Sequence, residues 1–250
     1  MKSQDHNQRD SHSGCLVCGK PIVYSMESVA RVCHLCGGIF ESNAACEDGH
    51  YICDKCHASG WRDFLGLLRN SGEKDPVRMF NQIAELESVH MHGPEHHAIV
   101  SCIMLVAYHN NGCEIDLDAA LNVAEERGAQ VPGGICGFWG ACGAAIGAGI
   151  YMSVLTNSNP LNTEVWSLPQ LLTSRCLEAI AEIGGPRCCK RTSRIAIETA
   201  VRFTKERFSV EMPVGDYPCT FYAANRECLY GRCPYYGGCG DVVYGRRNCL

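Results

Sequence analysis

The stretch VPGGICGFWGACGAAIGAGIYMSVLTN, residues 131–157, carries no charged side chain, and how it is read decides the fold. It is long enough to cross a bilayer. A lone span needs flanking Lys/Arg and aromatic anchors, which are missing here, and this stretch is crowded with glycine from Gly133 to Gly149. The better reading is a loop leading into a buried central helix over 143–155, whose small residues let neighbours or a cofactor come close. A globular chain with no membrane partner is expected.

Helical signals surround this stretch. Asp75-Pro76 is an N-cap followed by proline at the first helical position, and Val77, Phe80, Ile83, Ala84 and Leu86 continue an apolar face. Pro94 opens a helix with a stripe of Ile99, Cys102, Ile103 and Val106, closed by Asn111-Gly112. Further helices are expected over 117–127, with Gly128 beyond the end, from a Ser167/Gln170 capping box to Ile183, and over 193–207 behind a Thr192 or Ser193 cap. Strand signals are limited to 22–24 and 218–222. The expected fold is therefore mainly α: a helical cysteine-rich domain preceded by a small zinc-knuckle module of treble-clef or ribbon type. The expected boundaries are a disordered tail over 1–14, the zinc module over 15–60, the helical domain over 61–209 and a cysteine-rich C-terminal segment over 210–250.

Nineteen cysteines among 250 residues would suit a secreted disulfide scaffold, but such scaffolds are short. The polar start MKSQDHNQRDSHSG also has no apolar signal-peptide core, so a reducing cytoplasm, with thiolates as metal ligands, is expected. In the front block, Cys15-x-x-Cys18 and Cys33-x-x-Cys36 are followed by Cys46, His50 and Cys53-x-x-Cys56. Two residues between thiols let both reach one tetrahedral ion, so these eight ligands suit two closed, structural Zn2+ sites. Sequential pairing and an interleaved, cross-braced pairing both close the shells. His34 and His57 lie beside ligands and read as bystanders. Closed zinc sites make the block a candidate for recruiting a partner protein.

The rear cysteines keep different company. Cys136 and Cys142 sit among glycines whose backbone N–H groups are free to bond cluster sulfides. Cys188 and Cys189 are bracketed by Arg187, Lys190 and Arg191 ahead of a helix. Cations there oppose the helix dipole unless an anion joins them, and cationic neighbours should lower the thiol pKa. Cys228 and Cys233 follow in a glycine- and tyrosine-rich tail. These six thiols are the candidate ligands of a [4Fe-4S] cluster, with Arg187, Lys190 and Arg191 holding an anionic substrate. Cys102, Cys113, Cys176 and Cys249 read as ordinary thiols. In VHMHGPEHH, His92-x-x-Glu95-His96 formally matches an inverted zinc-protease motif, but Gly93-Pro94 leaves His92 outside the helix that reading needs. His92, Glu95, His96 and His97 read instead as a pocket-lining group able to move protons.

MHGPEHH (91–97), PGGICGFWGACGAA (132–145), GGPRCCKR (184–191) and GHYICDKCH (49–57) together resemble an uncharacterised cysteine-rich prokaryotic family of methanogens and other anaerobes, from about residue 45 to the C-terminus. Cys142-Gly143-Ala144 with the later cysteines also loosely resembles a redox family named for spaced C, GCA and C-C elements, at a different spacing. An anaerobic setting agrees with oxygen-sensitive clusters. The expected function is a cytoplasmic iron-sulfur enzyme performing sulfur transfer or a redox step on a small anionic or sulfur-containing substrate. The alternatives are a metal-stabilised scaffold or electron-transfer partner, and an RNA-thiolation factor. A net charge of -5 argues against a surface that grips nucleic acid everywhere. Residues 186–250 nevertheless hold eleven Lys/Arg against six Asp/Glu, which keeps a local anionic partner open.

Overall fold

The computed structural model describes residues 14–59 and 61–238, and it is mainly helical with one small two-stranded sheet among those residues. All but Gly14 of the expected N-terminal tail lies outside the described residues, as do Cys239 and Cys249. The front block is a hairpin in which β1 (Ile22–Val32) runs antiparallel to β2 (Ile39–Cys46), with a register irregularity between Tyr24 and Val29. It extends well past the short strand expected near residue 22. β1 buries none of its residues, so no apolar face forces the two-residue alternation by which a strand is recognised in sequence. Around 218–222 only an isolated bridge forms, between Cys219 and Tyr236.

Two short helices, α1 (Asp54–His57) and α2 (Trp61–Arg69), lead into the helical domain. In α3 (Pro76–Ala84) the Asp75 cap is as expected: its Oδ1 accepts from the Val77 and Arg78 N–H groups at 2.8 and 3.1 Å. Its other oxygen accepts from Gly215 N and Tyr217 OH, which ties the C-terminal segment to this helix. The core is built around α4 (Glu95–Asn110), whose residues from Glu95 to Ala107 are all buried. α5 (Leu117–Ala129) runs past Gly128, which lies inside the helix because a Cβ there would come within 2.5 Å of the Ala98 Cβ.

The uncharged stretch forms one short turn, α6 (Ile135–Phe138), and then the buried helix α7 (Gly143–Leu155). No described helix is long and apolar enough to cross a membrane. α7 packs against both α4 and α8 (Ser167–Ile183). Trp166 occupies the N-cap position of α8 without a side-chain bond, so the expected Ser167 capping box is absent. α9 (Cys189–Phe208) begins four residues earlier than expected, because Cys188 caps it: the Cys188 Sγ accepts from the Arg191 N–H at 3.5 Å.

The contact between α4 and α7 has no slack. A Cβ on Gly147 would fall 2.2 Å from the His97 carbonyl oxygen, a backbone atom that cannot swing aside, whereas a Cβ on Gly137 meets nothing within 4 Å. Gly147→Ala is expected to cost about 1–3 kcal/mol in denaturant unfolding. Gly137→Ala should stay close to wild type, and equal stability of the two variants would show that α7 can shift freely.

Candidate metal centres and a shared cavity

The front ligands gather into two groups, Cys15, Cys18, Cys46 and His50 in one and Cys33, Cys36, Cys53 and Cys56 in the other. Within each group the ligand atoms lie within 4.8 Å of one another, and either could hold a metal ion such as zinc. The pairing is therefore interleaved. Two thiolates about 2.3 Å from a tetrahedral ion sit roughly 3.8 Å apart. The Cys18–Cys46 and Cys36–Cys53 sulfurs are 3.7 and 3.9 Å apart, and Cys46 Sγ lies 3.4 Å from His50 Nδ1. Each of the first two knuckles turns back through a glycine just after its second cysteine, Gly19 at φ +71° and Gly37 at φ +70°, a conformation that side chains disfavour. Burial pushes the Cys33 thiol up, but the backbone N–H groups of Cys53, Cys36 and Leu35 outweigh it and bring the pKa to about 6. That favours the ligating thiolate. His34 and His57 stay outside both groups.

A cavity of about 1020 Å³ lies between this module and the helical domain. Tyr24, Asp54 and His57 line it from the front, and Cys136, Cys142 and Cys189 line it from α6, α7 and α9. Among the contacts that dock the module beside it, Asp54 Oδ2 accepts from Gly133 N at 2.8 Å, and Arg187 stacks over the Tyr24 ring and donates to its hydroxyl.

The six rear thiols do not share one site. Cys136, Cys142 and Cys189 face the large cavity, whereas Cys228 and Cys233 line a second, smaller one with Cys219, and Cys188 borders both. Cys219 precedes these two in the same tail, and its N–H, donating to the Tyr235 carbonyl at 2.7 Å, brings it beside them. Around the second cavity stand the buried cations Lys190, Arg191 and Arg194. The Cys188 sulfur accepts from Asn225 Nδ2, and the Cys228 sulfur from Tyr230 N. The cations bracketing Cys188 and Cys189 do not lower these thiols as expected. Burial wins, pushing Cys188 to about 11 and Cys189 to about 12 despite Arg191 and Arg187 nearby. A metal would have to displace these protons.

Of the three basic residues expected to hold an anion, Arg187 alone combines partial exposure with a place on the cavity wall. Lys190 Nζ is buried and donates to the Ala84 and Val89 carbonyls at 3.1 and 3.2 Å. Arg191 donates to the Gly184 and Pro186 carbonyls. These bonds close the orphan carbonyls of neighbouring turns, and they take the basic excess of this segment partly into the interior.

The histidine run divides as well. His92, His96 and His97 line the cavity, but Glu95 does not; it is 1% exposed and sits between His57 and His90. His92 Nε2 lies 3.1 Å from Glu227 and 3.2 Å from Asn225, and His97 Nδ1 lies 2.9 Å from the Val131 carbonyl. Burial, joined for His92 by the Arg187 charge, holds both imidazoles below their usual range. They are neutral near pH 7.

A family model described as a family of unknown function (DUF5714) matches residues 65–236, and the chain belongs to that family. The match contains the histidine run and the rear thiols through Cys233, and it begins after the front metal ligands. No curated protein and no solved structure matches the chain.

The interleaved pairing has a stoichiometric consequence. The double variant Cys18→Ser/Cys46→Ser should lose one equivalent of zinc from the front block, and Cys18→Ser/Cys53→Ser should lose two, as read by metal analysis of the purified full chain. Sequential pairing would also make the first double variant lose two.

Proposed function

We propose that this family member is a cytoplasmic iron-sulfur enzyme in which Cys136, Cys142 and Cys189 hold a [4Fe-4S] cluster at the wall of the large cavity. Two zinc ions fold the front module over it, and a small anionic or sulfur-containing substrate binds beside Arg187. One observation carries this reading: Cys136, Cys142 and Cys189, the partly exposed Arg187 guanidinium, and His92, His96 and His97 come from distant parts of the chain to line the same cavity, with Cys188 at its border. Three thiolates leave one iron of a four-iron cluster without a protein ligand, and an open metal position distinguishes catalytic from closed sites. When bound, the cluster would supply a site for a substrate sulfur or a one-electron couple. Arg187, steered by Tyr24 and Glu227, would orient the anion, and neutral His92 and His97 would take up protons.

A second reading rests on the smaller cavity, where Cys188, Cys219, Cys228 and Cys233 offer four thiols beside three buried cations. Four thiolates would close a cluster, which suits electron transfer, and the buried cations would offset its negative charge.

Anaerobic reconstitution followed by iron and acid-labile sulfide analysis and Mössbauer spectroscopy separates the two. Cys136→Ser, Cys142→Ser and Cys189→Ser are each expected to lose most of the cluster, while Cys219→Ser and Cys233→Ser keep it. The reverse pattern would move the cluster to the smaller cavity. Wild-type protein holding zinc and no labile sulfide would end both readings.

A further inference from the structure

Outside the thiol sites, the described residues contain one more group of convergent ligands: His57, His90 and Glu95, with donor atoms all within 4.8 Å of one another. We propose that they form a third metal site, a two-histidine, one-carboxylate centre for a divalent first-row transition ion such as zinc. It joins the front module to the helical domain and leaves one coordination position open.

Each histidine nitrogen stands at a coordination-like distance from one oxygen of the carboxylate, His57 from Oε2 and His90 from Oε1, and the three donors lie within 4.8 Å of one another. Donors about 2.0–2.1 Å from a tetrahedral ion lie roughly 3.3–3.4 Å apart. His57 Nδ1 is 3.3 Å from Glu95 Oε2, and His90 Nδ1 is 3.4 Å from Glu95 Oε1. The two imidazole rings meet edge to face, with centroids 4.4 Å apart. As hydrogen bonds these contacts fail: His57 Nδ1, His90 Nδ1 and Glu95 Oε2 are all buried without a hydrogen-bonding partner. Three orphaned polar atoms aimed at one another are costly in a folded protein, and a carboxylate 1% exposed is costlier still. A cation between them satisfies all three at once.

The surroundings hold the donors in place. The His90 backbone N–H donates to Glu95 Oε1 at 3.0 Å, which fixes the orientation of the carboxylate. Gly93 makes room for it, since a Cβ there would fall 2.1 Å from Glu95 Oε2 and 2.5 Å from His57 Cε1. His57 ends α1, one residue after the front ligand Cys56, whereas Glu95 opens α4. The ion would therefore bridge the two halves of the protein next to the Asp54–Gly133 contact. Three nitrogen and oxygen donors suit zinc or another ion of that series and leave a fourth tetrahedral position for an outside ligand. His57 is also part of the lining of the large cavity.

No thiol takes part in this site, so it stands or falls independently of the cluster. The test is an anaerobic titration with Co2+ of the full-length protein carrying two equivalents of zinc, one for each front ligand group. The expected result is one equivalent with visible ligand-field bands and no added sulfur-to-cobalt charge transfer. His90→Ala and Glu95→Gln should each weaken it by more than about a hundredfold, and Cys136→Ser should retain it. If wild-type protein takes up cobalt only with sulfur charge transfer, or if His90→Ala binds as wild type does, the three residues are a buried ion-pair network and the proposal is overturned. The wild-type titration decides this even where a variant fails to fold.

Discussion

The close approach of α7 to α4 at His97 is the contact on which the rest of the structure depends. Gly143 and Gly147 bring α7 against the His97 ring and carbonyl at separations where any Cβ would clash. Thr173 meets Gly149 in the same way from α8. Helices packed this tightly have little freedom to slide, because dense interiors transmit strain and do not absorb it. His97 is thereby set against the start of α7, and Cys142, which caps α7, is carried to the cavity wall beside it. Burial of α7 on several sides accounts for the uncharged composition of 143–152, whereas most of 131–140 is exposed beside the cavity.

Metal ligands and helical packing divide the work of folding. The hairpin buries nothing of β1, and the two interleaved ligand groups bring together segments far apart in sequence, which an ion in each would join. The helical domain has a continuous apolar core centred on α4 and needs no such help. Where the halves meet, the contacts are polar and aromatic: Asp54 with Gly133, Arg187 with Tyr24, and His57 with Glu95. A seam of this kind leaves a cavity between the halves and lines it with groups from both.

Much of this was legible in local sequence. Asp75-Pro76, the span of α7 and the glycine end of α8 were readable because caps, breakers and helical periodicity act over a few residues. The eight front ligands were readable because a Cys-x-x-Cys turn is a local geometry. The failures have local causes too. A thiol caps α9 in place of Thr192 or Ser193, Gly128 serves helix contact and not termination, and a strand without a buried face carries no alternation. Lys190 looked like an anion binder by its neighbours, yet its ammonium is spent on two carbonyls from a different part of the chain.

The sequence by itself determined the helical class, the two sets of cysteines and the identity of the front ligands, since each follows from spacing within a turn or two. Only the tertiary structure decided which ligands share a site. Cys188 stands at the extended N-cap of α9 and Cys189 opens the helix, so Cys189 faces the large cavity while Cys188 also reaches the second one, which Cys189 does not line. His57, His90 and Glu95 likewise meet because two separately folded segments dock, and no spacing rule spans that distance.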